Sequence, residues 1–205
     1  MAMARSPFVD RLTGWGIYVI GFMPAAASFW LGATGGLGAD PVRAFEQTLG
    51  LWALRFLILT LAITPLRQLA GVNLLRFRRA LGLLAFWYAA MHFSVYLTLD
   101  RGLIWSTIIP DIARRPFITL GFAALVLLVP LAVTSNRLSI RRLGKNWRLL
   151  HRLVYVAVSL AAVHYLLATK VLDLTQIIHV GLVVLLLGYR LVRGLMPRPE
   201  RRRTA

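Results

Sequence analysis

The chain contains no cysteine, which excludes thiolate-ligated haem, iron–sulfur clusters, covalently attached c-type haem and a cysteine nucleophile. Neutral imidazole is then the strongest metal ligand left, and there are only four histidines. Acidic residues are nearly as scarce, with seven Asp and Glu against 24 Lys and Arg. None of the seven is expected deep in an apolar segment, which counts against a transporter reading built on midmembrane acids. Internal repeats and low-complexity tracts are also missing. The one glycine-rich stretch, Gly35-Gly36-Leu37-Gly38-Ala39-Asp40-Pro41, is no nucleotide loop, because it follows an apolar run instead of a strand and lacks the phosphate-binding lysine. Its Asp-Pro step favours a turn or a helix start.

What the chain does have is hydrocarbon. Hydrophobic residues make up 59% of 205 positions and mean hydropathy is +0.71, beyond the usual share for a soluble globular domain. Apolar runs long enough to span a bilayer, roughly 17–25 residues each, occur at Leu12–Leu31, Leu49–Leu66, Ala80–Leu99, Phe117–Val133, Leu149–Ala168 and Leu174–Leu191. The expected fold is all-α, a polytopic membrane protein whose residues 1–205 form one six-helix transmembrane domain. The triplet Ala25-Ala26-Ala27 could pass for a signal-peptidase site, but apolar residues extend on both sides of it and no soluble domain follows.

A net charge of +17 in a soluble protein would suggest nucleic acid; here its distribution follows membrane topology instead. One side of the predicted spans holds Arg5 and Arg11, Arg67 to Arg79, Arg137 to Arg152 and the cations from Arg190 onward. The other keeps Asp40, Glu46, Asp100, Asp111 and Asp173. By the positive-inside rule both termini are cytoplasmic. The basic segments then contact anionic lipid, with no nucleic acid involved. Residues 197–205 are expected to be a short charged, disordered end.

Three of the histidines, His92, His151 and His164, lie in strongly apolar segments, where an imidazole is costly without a partner and is a functional hypothesis by default. On the predicted helices His92 lies roughly 18 Å along the third and His164 roughly 22 Å along the fifth, running in the same direction. Matched depth on different helices suits two imidazoles clamping one haem b iron from opposite faces. His151, near the other face, leaves two alternatives, because 13 residues put it roughly 140° from His164 on an ideal helix. Either the helix unwinds locally or a second haem sits on another side of it. Fourteen residues before His92, back on nearly the same face, stands Arg78, whose guanidinium stays protonated. It reads first as a propionate clamp or lipid contact, second as a neighbour of an inner haem's open site. His179 has no matched partner, and Trp15, Trp30, Trp105 and Trp147 read as interfacial anchors.

The strings Gly35 to Val42, Thr64-Pro65-Leu66, Arg78-Arg79-Ala80-Leu81-Gly82-Leu83 leading to His92, Arg115-Pro116-Phe117, and Leu143-Gly144-Lys145 through Trp147 to His151 resemble the haem-binding membrane subunits of bacterial MsrPQ methionine sulfoxide reductase systems. These belong to the ferric-reductase-like transmembrane group. The resemblance covers nearly the whole chain. It implies haem ligation, with one or two haems, by His92, His151 and His164, and it puts Arg78 where the wider group usually has a second histidine on the third helix.

The same resemblance implies an electron-transfer subunit, not the catalytic one. It would take electrons from the quinone pool, with FMN as an associated cofactor, and pass them across the bacterial inner membrane to a periplasmic molybdopterin-dependent MsrP-type reductase that repairs oxidised methionine. No residues announce the flavin or quinone sites. Two alternatives stay open: a stand-alone ferric or oxygen reductase core, disfavoured because no flavin and nicotinamide domain follows the sixth helix, and a non-redox transporter.

Overall fold

The computed structural model describes residues 7–169 and 171–195, with side chains from Trp15 onward; the expected charged tail at 197–205 and the cations Arg5, Arg11 and Lys170 fall outside the described side chains. Among the described residues, six helical segments are long and apolar enough to cross a membrane: Trp15–Ala33, Pro41–Leu69, Leu75–Asp100, Pro116–Val133, Lys145–Leu167 and Leu174–Leu195. The chain is a multi-pass helical membrane protein. Its spans are α1 (Pro7–Ala33), α2 (Pro41–Leu69), α3 (Arg78–Val95), α5 (Pro116–Val133), α8 (Leu153–Leu167) and α9 (Leu174–Leu195), with short helices α4 (Trp105–Arg114), α6 (Arg137–Leu143) and α7 (Lys145–Leu150) in the connections.

Two helix pairs make the centre. α2 packs most extensively on α3, α5 on α8, and the pairs meet through α3 with α5 and α2 with α8. Leu49, Leu57, Leu61, Leu84, Ala85, Tyr88, Ala157 and Val158 fill the space between them. α1 and α9 flank this four-helix core, α1 against α2 and α3, α9 against α2 and α8. The described acids collect at one end of the bundle and most of the cations at the other, an acidic end and a basic end.

The second span begins eight residues earlier than the hydropathy run that starts at Leu49. The reason is local: Asp40 Oδ1 accepts from Arg43 N–H at 3.1 Å, and Pro41 takes the first helical position, where its missing N–H costs nothing. Arg43 and Glu46 are therefore helical; Glu46 lies within the first two turns of the span, near its end and not deep in it. The basic connection that begins at Arg137 forms the helix pair α6 and α7. Asn136 caps α6 by accepting from Ser139 N–H at 2.8 Å, and Gly144 turns the chain at φ 51, a backbone region that favours glycine. Arg115 is extended before Pro116, which starts α5.

Beyond α3 the third span widens into a π-turn over Tyr96–Asp100. Arg101 bonds Asp100 at 3.0 Å and Asp111 at 2.7 Å, and Arg115 bonds Asp111 at 3.2 Å. This network holds α4 against the acidic end. Trp15, Trp30 and Trp105 stand well exposed, as interfacial anchors do.

α1 joins the core through a side chain inserted into its own ladder. Tyr88 of α3 accepts from Ala25 N–H at 3.0 Å and donates to Gly21 C=O at 2.7 Å, standing where the Ala25–Gly21 helical bond would be, beside Pro24. Gly21 permits this approach, since a Cβ there would come 2.4 Å from Leu84 Cδ1. Tyr88→Phe leaves two buried backbone groups without that bridge and should cost about 1–3 kcal/mol of stability. Thermal unfolding in detergent measures it; an unchanged midpoint would mean that the ladder closes on its own.

Candidate functional site: a facing imidazole pair

His92 of α3 and His164 of α8 face each other across the core, ring centroids 6.1 Å apart and planes at 69°. His92 Nδ1 lies 2.8 Å from Glu46 C=O on α2, and His164 Nδ1 lies 2.6 Å from Phe117 C=O on α5. A carbonyl only accepts, so each Nδ1 carries the proton and each Nε2 keeps its lone pair. A backbone carbonyl on the far nitrogen of a metal-binding histidine fixes tautomer and ring orientation and raises the basicity of the other nitrogen.

Each contact has the same construction. The accepting carbonyl sits four residues before a glycine on the same helix, Glu46 before Gly50 and Phe117 before Gly121. The ring lies over that turn, sharing the carbonyl's second lone pair. A Cβ on Gly50 would stand 3.1 Å from His92 Nδ1, and one on Gly121 would stand 2.8 Å from His164 Nδ1. The glycines make the cradle.

The donor set fits a haem iron. Two imidazole–metal bonds of about 2 Å, with each ring centre about 1 Å behind its nitrogen, place ring centroids roughly 6 Å apart. Among the described residues no group of three or more His, Asp or Glu gathers as a metal cluster; two imidazoles would hold an iron only with a macrocycle supplying the remaining positions.

His151 and Arg78 are not brought into this pair. The helix breaks at His151, which caps α7 ahead of α8. Its ring stacks on Trp147 at 3.9 Å, and its Nε2 lies 3.0 Å from Thr134 Oγ1. That hydroxyl also lies 2.6 Å from Pro130 C=O, to which it donates, so Nε2 of His151 is the protonated nitrogen here. Trp147, expected as a plain anchor, donates to Thr134 C=O at 3.0 Å. Arg78 donates to Thr64 Oγ1. His179 accepts from Arg55 Nε at 3.1 Å and is tied to no other histidine.

Reading by residue type missed Glu46, Gly50, Phe117 and Gly121. Glu46 also brings its carboxylate 3.9 Å from His92 Nε2. The available signal was a glycine inside each of two apolar runs, at positions where a helix interior disfavours it.

The family described as ferric reductase like transmembrane component matches residues 49–162, over half of the chain, and this multi-pass helical bundle is of that class. A relative in Brucella anthropi, the protein-methionine-sulfoxide reductase heme-binding subunit MsrQ, is 59% identical over 179 residues, 87% of this chain and 81% of its own. The proteins of that name in Brucella ovis and Brucella canis are 59% identical over 189 residues, 92% of this chain and 86% of theirs. The chain belongs to the MsrQ family.

Proposed function

We propose that this chain binds haem b and serves as the membrane electron-transfer subunit of a protein-methionine-sulfoxide reductase system, separate from the catalytic subunit. The observation that carries the reading is the pair of facing imidazoles whose Nδ1 protons are committed to backbone carbonyls, leaving two Nε2 lone pairs for one iron. Haem, when bound, supplies a one-electron couple inside the bilayer. His92 and His164 would hold it, and the Glu46 and Phe117 carbonyls would keep both rings in the ligating tautomer. His151, with Arg78 as neighbour, is the candidate for a second haem toward the basic end, and would have to release Thr134 to ligate.

By positive-inside charge bias the basic end and both termini face the cytoplasm of a bacterial inner membrane. Electrons would enter from quinol in the bilayer or from a cytoplasmic flavin donor, with FMN implied by family resemblance alone. They would leave toward a periplasmic molybdopterin-dependent MsrP-type reductase. The surface offered to that partner is the Gly35 to Pro41 connection and α4, the latter braced by the Arg101–Asp111–Arg115 network.

A reduced-minus-oxidised absorption spectrum of haem-replete purified protein tests the reading. Low-spin b-type bands are expected, with the chromophore removed by acid–acetone because no thiol tethers it. A preparation with no Soret absorption above the apoprotein would end the proposal. The orientation has its own check: alkaline phosphatase fused after Ala205 should be inactive, and activity there would invert the electron path.

A further inference from the structure

At the basic end, outside the imidazole site, two guanidinium groups converge on one hydroxyl. Arg78 of α3 donates to Thr64 Oγ1, and Arg190 of α9 reaches the same oxygen at 3.3 Å. Arg190 also donates to Leu61 C=O at 2.8 Å and to Tyr155 OH at 3.1 Å. The Leu61 carbonyl is open because Pro65, four residues on, has no N–H to give it. Every acceptor is neutral. Arg190 Nε is buried without any partner, and the ion pairs among the described residues all lie at the acidic end. Two like charges brought together where water is scarce repel each other unless an anion sits with them.

Beside this pair, a shallow, open apolar crevice of about 210 Å³ runs along α2, lined by Ala62, Pro65, Leu66, Leu69 and Ala70 with Leu186 of α9 at its side. Leu66 and Leu69 are exposed, and the crevice therefore opens toward lipid. Leu186 is one helical turn from Arg190, and Pro65 is next to Thr64. A cationic fork above a hydrocarbon slot matches an amphiphile with an oxyanion head, and basic pockets between membrane helices take anionic lipid head groups. We propose that Arg78 and Arg190, with Thr64 and Tyr155, bind the phosphodiester of one anionic phospholipid whose acyl chain lies in the α2–α9 crevice. The site does not depend on the His92–His164 pair.

The test uses the full chain in nanodiscs of phosphatidylcholine with or without phosphatidylglycerol, comparing wild type, Arg190→Gln, Arg190→Lys and Arg141→Gln by thermal midpoint and by lipid retained in native mass spectrometry. Gln at 190 removes the charge while keeping an amide donor on a shorter side chain, and Lys restores the charge; Arg141 is an exposed cation on α6. Phosphatidylglycerol should raise the wild-type midpoint and remain bound, the shift being lost in Arg190→Gln and kept in Arg190→Lys and Arg141→Gln. An equal shift in all four would reduce the effect to a diffuse surface field and overturn the proposal. So would an equal shift from inorganic phosphate alone, or haem loss in Arg190→Gln with lipid retention unchanged, which would assign the arginines to a haem carboxylate. If Arg190→Gln does not fold, the wild type decides: it should leave native membranes carrying an anionic phospholipid, and carrying none would refute the site.

Discussion

Replacing His92 or His164 with alanine should convert the purified protein from a six-coordinate low-spin centre to a high-spin or empty one, with haem retention falling on the order of tenfold or more, beyond what loss of a supporting partner alone costs. The two variants should behave alike, because each removes one of two opposed imidazoles 6.1 Å apart. His179→Ala should leave the spectrum intact, since that ring is engaged by Arg55 and the carbonyl of Thr175. Absorption spectra and extracted haem, normalised to protein, measure all three. His179→Ala proving as damaging as His92→Ala would break the assigned pairing. His151→Ala separates one haem from two: it should leave the His92–His164 centre low-spin, and any drop in haem per chain reports a second site.

Gly121→Ala is expected to be nearly as severe, although it removes no ligand. The added Cβ would stand 2.8 Å from His164 Nδ1 and 2.9 Å from Cε1, while the same ring is held 2.6 Å from Phe117 C=O. The ring cannot retreat without giving up that bond, and the overpacking costs about 1–3 kcal/mol, on the order of tenfold to a hundredfold in the ligated state. At Gly50 the corresponding contact is 3.1 Å, a distance that a small ring shift relieves, so Gly50→Ala should do less. The order is the test: low-spin haem fraction should fall as wild type, Gly50→Ala, Gly121→Ala. A reversed order, or no loss in either, would mean that the glycines serve helix packing in general and not the imidazoles.

Membrane class and helix number were legible in the sequence because a span is a local property: about twenty consecutive residues must each match hydrocarbon, whatever their neighbours do. The same locality explains where boundaries slipped. Arg43, Glu46 and Gln47 depress hydropathy at the start of the second span, while Asp40 and Pro41 make that stretch helical all the same. Depth along a helix is a local count as well, so the candidates His92 and His164 could be named together from 1.5 Å per residue.

What spacing could not supply is rotation and approach between helices. The partners of His92 and His164 are carbonyls 46 and 47 residues away, and a carbonyl has no residue type to search for. Nor could the sequence show that the chain breaks between α7 and α8 at His151, with Thr134 and Trp147 taking the ring. Arg190 likewise read as one more cytoplasmic cation until packing set it against Thr64 and the carbonyl freed by Pro65. Composition alone determined that this chain lives in a membrane with imidazole as its strongest metal ligand. Only the tertiary structure decided which imidazoles meet, because that depends on close approach of helix backbones, which two glycines permit and which no single span encodes.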